Sequence, residues 1–199
     1  MNEELFVTAD LHFGPIKFRE HIPKAQHDDF IISRWNSVVS KSNTVIVAGD
    51  ISFRNKRTTK YLLNQLHGKK ILVMGNHDFK HSQSWWREVG FDEVYKHPIL
   101  VDNVLISHKP INRNIGRLVN FYGHIHDAPL SFTSNVRSYV NICVDHPDWD
   151  FRPVKFNKAK KHVGNGYFYQ YPKVDGKIIY EGKELYVEEQ KAEYDDQIS

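Results

Sequence analysis

Five short clusters hold the residues that could do chemistry: Asp10-Leu11-His12, Gly49-Asp50, Gly75-Asn76-His77-Asp78, His108 and His124-Ile125-His126. Together they offer carboxylates, imidazoles and one amide carbonyl. That set suits divalent first-row metals bound by mixed nitrogen and oxygen ligands, rather than calcium or thiolate-held zinc. In extended chain, residues two apart point to the same side, so Asp10 with His12, and His124 with His126, can each aim both side chains at one spot. Two cations about 3.5–4 Å apart need a bridging anion, and Asp50 is the candidate. Such a pair would acidify a shared water near neutral pH, hold it in line with a phosphorus and neutralise charge on the phosphoryl oxygens. His77 could then protonate the leaving oxygen, with Asp78 fixing its tautomer. Taken singly, most of the clusters also read as loop chemistry, since Gly-Asn and Gly-Asp are ordinary turns and a lone His108 an ordinary loop histidine, whereas the pair His124 and His126 favours a metal by itself.

What joins the clusters is where they fall, each at the end of a strand-like run. Residues 5–9, 44–48 and 70–74 read as buried strands that deliver polar residues to the carboxyl edge of a sheet, where open α/β sheets bind ligands. Helices fit between them. The first is opened by Asp28 or Asp29, with Ile31, Trp35, Val38 and Val39 on one face. The second is capped by Thr58 or Thr59, turns Leu62, Leu63 and Leu66 inward and ends at Gly68. The third starts at Ser82 or Ser84 and is closed by Gly90. Short spacing of strand and helix predicts parallel βαβ units. Beyond residue 92 the pattern changes to strands at 93–95, 99–101, 104–107, 118–122 and 139–144, joined by short turns, which predicts a second sheet. The expected fold is therefore α/β, a four-layer αββα sandwich of two mixed sheets over residues 1–155. Residues 156–199 read as a C-terminal antiparallel β meander (167–171, 177–180 and 184–187) with an acidic tail, packed on the same domain.

At 199 residues, 40% apolar and 13% aromatic, the chain can build one substantial core. Its single cysteine, Cys143, excludes an internal disulfide and a thiolate cage, and reads as a buried, inert thiol. A net charge of +3 does not argue for a nucleic-acid binder. Lys155, Lys158, Lys160, Lys161 and His162, and the acidic residues from Glu184 onward, read as solvated surface. No apolar run approaches membrane-spanning length, and Met1-Asn2-Glu3-Glu4 lacks a basic secretory start, so the expectation is a soluble cytoplasmic protein without a membrane partner. Nothing in the sequence speaks to oligomeric state.

In order and spacing, Asp10-Leu11-His12, Gly49-Asp50, Gly75-Asn76-His77-Asp78, Ser107-His108-Lys109-Pro110 and Gly123-His124-Ile125-His126 resemble the five motifs of the calcineurin-like metallophosphoesterase superfamily. More narrowly, Arg34-Trp35-Asn36-Ser37-Val38-Val39, Gly49-Asp50-Ile51-Ser52-Phe53 and Asn141-Ile142-Cys143-Val144-Asp145, followed by Phe151-Arg152-Pro153-Val154, are similar to small bacterial and phage phosphoesterases of that superfamily. The resemblance runs from Leu5 to Lys155. It implies a first metal on Asp10, His12, Asp50 and His126, a second on Asp50, Asn76, His108 and His124, and His77 as the acid. It also implies manganese or iron as the common ions, with zinc or nickel admitted by the same donors. Where protein phosphatases of the superfamily carry Asp-Arg-Gly and a glutamate, this chain has Phe53-Arg54-Asn55 and Asp78, which disfavours a protein phosphatase. Pro15 replaces a histidine often found in the small relatives.

The function expected is that of a dinuclear metal-dependent phosphoric ester hydrolase, cleaving phosphodiesters or phosphomonoesters by attack of metal-bound hydroxide. The diester is preferred because no clamp for a dianionic phosphate is visible. Arg54, Lys109, Arg113 and Arg117 are candidate substrate contacts. One alternative is a metal-dependent nuclease acting on DNA or RNA, for which only the C-terminal meander, with Tyr167, Phe168, Tyr169 and Tyr171, could hold a strand. The other is a non-catalytic scaffold on the same fold, against which stands the complete set of ligand types.

Overall fold

The structure is a computed structural model, and it describes residues 3–14, 19, 26–111, 118–134 and 137–162, together with strands at 173–174, 177–180 and 183–184. Strand and helix alternate first: β1 (Leu5–Thr8), α1 (His27–Asn36), β2 (Thr44–Val47), α2 (Lys56–Leu63), β3 (Lys69–Val73), α3 (Gln83–Val89) and β4 (Glu93–Tyr95). Strands β1 to β4 run parallel in that spatial order, and β10 (Val154–Lys155) adds antiparallel to the free edge of β1. The second sheet is built from β5 (Ile99–Val101), β6 (Val104–Ser107), β7 (Val119–Tyr122), β8 (Ser131–Ser134) and β9 (Arg137–Asn141), ordered β5-β6-β7-β9-β8. Its three central strands are parallel and its edges antiparallel. Both sheets are mixed, as the sequence predicted.

Two cores hold the layers together. Phe6, Val45, Val47 and Leu72 face α1, α2 and α3 and meet Ile31, Trp35, Leu62, Leu63, Trp86 and Val89. The alternate residues Val7, Ile46 and Val73 point the other way, onto Val104, Ile106, Val119, Phe121 and Val140 of the second sheet. A sheet buried on both faces explains why β1, β2 and β3 read as unbroken apolar runs rather than alternating ones. Among the described residues no helix is long and apolar enough to cross a membrane.

Several boundaries differ from expectation. Helix α1 begins after Gln26, which makes no side-chain cap; Asp28 and Asp29 lie inside its first turn, where carboxylates favour the helix dipole. Asn55, not Thr58 or Thr59, caps α2, its side chain accepting from the Thr58 N–H at 3.0 Å. That helix stops at Leu63, and Gly68 serves the turn into β3 instead. Ser82 caps α3 and Gly90 closes it, as expected. Strand β9 ends at Asn141, whose side chain accepts from the Cys143 N–H at 2.9 Å. The chain then leaves the second sheet, and Cys143 forms an isolated parallel bridge with Ala9 beyond the end of β1. The sequence reading missed β8, β10 and α4 (Phe156–Lys161). The lysines of α4 mask a two-residue apolar face, Phe156 and Ala159, which sinks into the core between the sheets. Of the expected meander, 177–180 is β12 (Lys177–Tyr180), flanked by β11 (Lys173–Val174) and β13 (Lys183–Glu184). Residues 167–171 and 185–187 lie outside the described residues.

Candidate metal centre

The loops that leave β1 and β2 zip together past the end of the sheet. Asp10 donates its N–H to Gly49 O (3.0 Å), His12 to Asp50 O (3.0 Å) and Phe13 to Ile51 O (2.9 Å). Holding side chains over the sheet edge requires unusual backbone: Asp10, His12, Asp50 and His124 all have positive φ, at 61°, 48°, 56° and 70°. Such conformations cost on the order of 1–3 kcal/mol each and persist where surrounding structure over-determines them, as at functional sites. Close approach matters as much. A Cβ on Gly49 would lie 2.5 Å from Gly75 Cα, and one on Gly75 would lie 2.4 Å from Asp50 Oδ1 and 2.8 Å from His108 Nδ1.

Two groups of donors form above this seam. In the first, Asp10 Oδ1 stands 3.6 Å from His12 Nε2 and 3.7 Å from His126 Nε2, and the two imidazole nitrogens face each other at 3.3 Å. Atoms bound about 2.0–2.2 Å from one ion lie about 3.0–3.6 Å apart, so these spacings are those of a ligand shell. Asp10 Oδ1 is buried and makes no hydrogen bond, an arrangement that would be costly unless a cation satisfied it. In the second group, His108 Nε2 lies 3.4 Å from Asp50 Oδ2 and 2.9 Å from Asn76 Oδ1, and His124 completes the cluster. Asp50 Oδ2 is also 3.9 Å from His12 Nε2, so this carboxylate faces both groups. The chain thus carries two candidate metal sites built from nitrogen and oxygen donors, and all seven residues expected as ligands converge.

The electrostatics follow from packing carboxylates against imidazoles where Asp10, His12, Asp50 and His108 are buried. For Asp10, burial works upward, yet His12, His108 and His126 together hold its carboxyl far below the ordinary range. Burial alone would lower His108, but Asp50 and Asp10 outweigh it and raise that imidazole to about 9. His124 goes the opposite way, down to about 4, through burial and the neighbouring His108.

The remaining expected residues divide. His77 sits half-exposed at the mouth, with Nε2 3.8 Å from Asp50 Oδ2 and its backbone N–H donated to Asp50 Oδ1 at 3.0 Å. Asp78 does not fix the tautomer of His77. It is fully buried beneath the seam, where its Oδ2 accepts the N–H groups of Asp50 and Gly75 (2.8 Å each) and its Oδ1 that of Ile51 (3.0 Å). A short helical turn over Asp78–Lys80 swings the carboxylate down and leaves His77 outside. Arg54 was expected toward phosphate; instead its Nε and one terminal nitrogen both donate to Asp28 Oδ2, at 3.1 and 2.9 Å. Lys109 is half-buried beside His108. Arg113 and Arg117 lie outside the described residues.

Three contributors went unassigned in the sequence. Cys143 donates its thiol to Asp10 Oδ2 at 3.0 Å, Asp145 Oδ2 is 2.7 Å from His126 Nδ1, and Phe53 stacks on His12 with ring centroids 5.3 Å apart. The motif Asn141-Ile142-Cys143-Val144-Asp145 hinted at the first two, and Phe53 ends the motif Gly49-Asp50-Ile51-Ser52-Phe53, which said nothing of its ring stacking on His12.

A family model for calcineurin-like phosphoesterases matches residues 4–191. The chain belongs to that family. Among relatives of this calcineurin-like phosphoesterase is the gene 66 protein of Mycobacterium phage D29, 31% identical over 176 residues, covering 71% of this chain and 87% of that protein. The gene 66 protein of Mycobacterium phage L5 is 36% identical over 81 residues, covering 37% of this chain but only 39% of the phage protein. A protein of unknown function from Aquifex aeolicus shares the fold with a TM-score of 0.57 and 20% identity, over 81% of this chain and all of that one.

Proposed function

We propose that the chain is a dinuclear metal-dependent phosphoesterase that hydrolyses phosphodiesters in preference to phosphomonoesters, with manganese as the ion. The observation that carries this reading is the position of Asp50 Oδ2, 3.4 Å from His108 Nε2 in one donor group and 3.9 Å from His12 Nε2 in the other. Asp10, His12, Asp50 and His126 would hold the first ion, and Asp50, Asn76, His108 and His124 the second. Bound there, two divalent ions would acidify a water near neutral pH and offset charge on the phosphoryl oxygens. The protein's own groups supply the rest. His77 turns Nε2 toward the site, so a proton held on that atom can pass to the leaving oxygen as the ester bond breaks. Asp78 serves by holding the Asp50 and Gly75 backbones together, and Lys109, next to His108 in the chain, would draw an anionic substrate by its charge. Residues 1–155 carry every one of these groups, with 156–199 as an extension of the same domain.

Turnover of bis(p-nitrophenyl) phosphate with added manganese tests the reading. Activity is expected in the parent protein and should be lost in Asp50→Asn; an Asp50→Asn protein that retains full turnover would sink it, as would a parent without any. Running p-nitrophenyl phosphate, cyclic nucleotides and short oligonucleotides beside the diester separates a small-ester hydrolase from a nuclease.

A further inference from the structure

Behind His126 a continuous line of polar groups leads away from the donor clusters. Asp145 Oδ2 lies 2.7 Å from His126 Nδ1 and accepts from Arg19 Nε at 3.1 Å. The Arg19 guanidinium, only 2% exposed, spends its other nitrogens on Leu11 O (2.9 Å), Asp10 O (2.6 Å) and His27 Nε2 (3.1 Å). His27 Nδ1 lies 3.2 Å from Asp28 Oδ1, and that carboxylate also accepts the Gly14 N–H at 2.9 Å and both contacts from Arg54.

The directions of these hydrogen bonds are forced. Arginine has no acceptor, so His27 must accept at Nε2 and donate from Nδ1. An ionised carboxylate has no donor, so His126 must carry a proton on Nδ1 toward Asp145, with Nε2 left facing Asp10 Oδ1 and His12 Nε2. A buried guanidinium is costly unless its fork is filled, and this one is filled by the loop that carries Asp10 and by the segment that carries Asp145.

We propose that Asp145 and Arg19 are positioning residues of the first donor cluster: Asp145 locks the tautomer and orientation of His126, and Arg19 ties Asp145 to the Asp10–Leu11 backbone. This rests on the metal-dependent reading above. Neither residue touches the reacting atoms.

The deciding measurements are the imidazole tautomer and metal affinity. In long-range nitrogen–proton spectra of the metal-free parent protein, His126 should carry a proton on Nδ1; a neutral ring protonated on Nε2 alone overturns the proposal without any variant. In manganese titrations the parent should bind two ions. Asp145→Ala should weaken one of them ten- to hundredfold and leave the other unchanged, the range typical when a ligand histidine loses its carboxylate partner. Asp145→Asn, which keeps an acceptor, should lose less than Asp145→Ala. Arg19→Lys should weaken the same ion. Unchanged affinity at both sites, or equal loss at both, overturns the proposal. A parent that binds no divalent ion but shows the Nδ1 tautomer would retire the metal-dependent reading while leaving the Asp145 lock in place. Should Asp145→Ala fail to fold, the parent spectrum and Asp145→Asn still decide.

Discussion

The thiol of Cys143 donates to Oδ2 of Asp10 at 3.0 Å, while the other oxygen of the same carboxylate faces His12 and His126. A side chain read as inert is therefore the back-support of a candidate ligand. Burial, followed by the charges of Asp10 and Asp145, pushes the thiol well above its ordinary value, so the reactive thiolate is scarce in the native state. A thiol reagent such as dithionitrobenzoate should label Cys143 only at the rate of unfolding. Rapid labelling of the folded protein would contradict the burial. Cys143→Ala should stay folded and lower manganese affinity at the first cluster, by about tenfold if Asp10 behaves as a ligand with a lost outer partner.

Gly75→Ala should be disproportionately harmful. The new methyl would press on Asp50 Oδ1 and His108 Nδ1, both fixed by the seam rather than free to rotate away. Overpacking typically costs about 1–3 kcal/mol. The expected result is a fall in melting temperature together with loss of the proposed diesterase turnover; an unaltered melting temperature would show that the seam gives way easily.

Asp78→Ala leaves the N–H groups of Asp50, Ile51 and Gly75 without their acceptor. Each buried unsatisfied donor costs about 1–3 kcal/mol, so chemical denaturation should show a loss on the order of 3 kcal/mol, with Asp78→Asn milder. A loss below about 0.5 kcal/mol would mean that water reaches those amides.

Asp28 gives a signed acid dependence. Burial opposes ionisation, but His27, the Gly14 N–H and Arg54 hold the carboxyl below its ordinary 3.8. A depressed value in the folded protein means that the contribution is complete above about pH 4 and disappears as pH falls through the folded value. The melting-temperature advantage of the parent over Asp28→Asn should therefore be constant from pH 7 to 5 and shrink below pH 4. An advantage that persists undiminished at pH 3 would argue against the Arg54–Asp28–His27 contacts.

The parallel sheet and the convergence of Asp10, His12, Asp50, Asn76, His108, His124 and His126 were legible because apolar runs ending in polar clusters encode both at once. The role of Asp78 was not: whether a side chain after His77 turns outward or under the loop depends on one short helical turn, which no periodicity reports. Arg19 was equally hidden, since a lone arginine in a sequence looks like surface until a carboxylate distant in the chain is placed beside it. Helix α4 escaped because a six-residue helix with two inward residues is too short for its pattern to rise above its lysines.

The Ala9–Cys143 bridge fastens the two sheets to each other at the very edge where the candidate ligands gather. Asp10 rides on one sheet and His126 on the other, so any sliding of one layer across its neighbour is transmitted directly into the spacing between them. Substitutions deep in the interior, such as Ile46→Val or Phe121→Leu, should thus register as altered ion affinity before they register as unfolding. The interior and the edge that carries the candidate ligands are joined through one bridge.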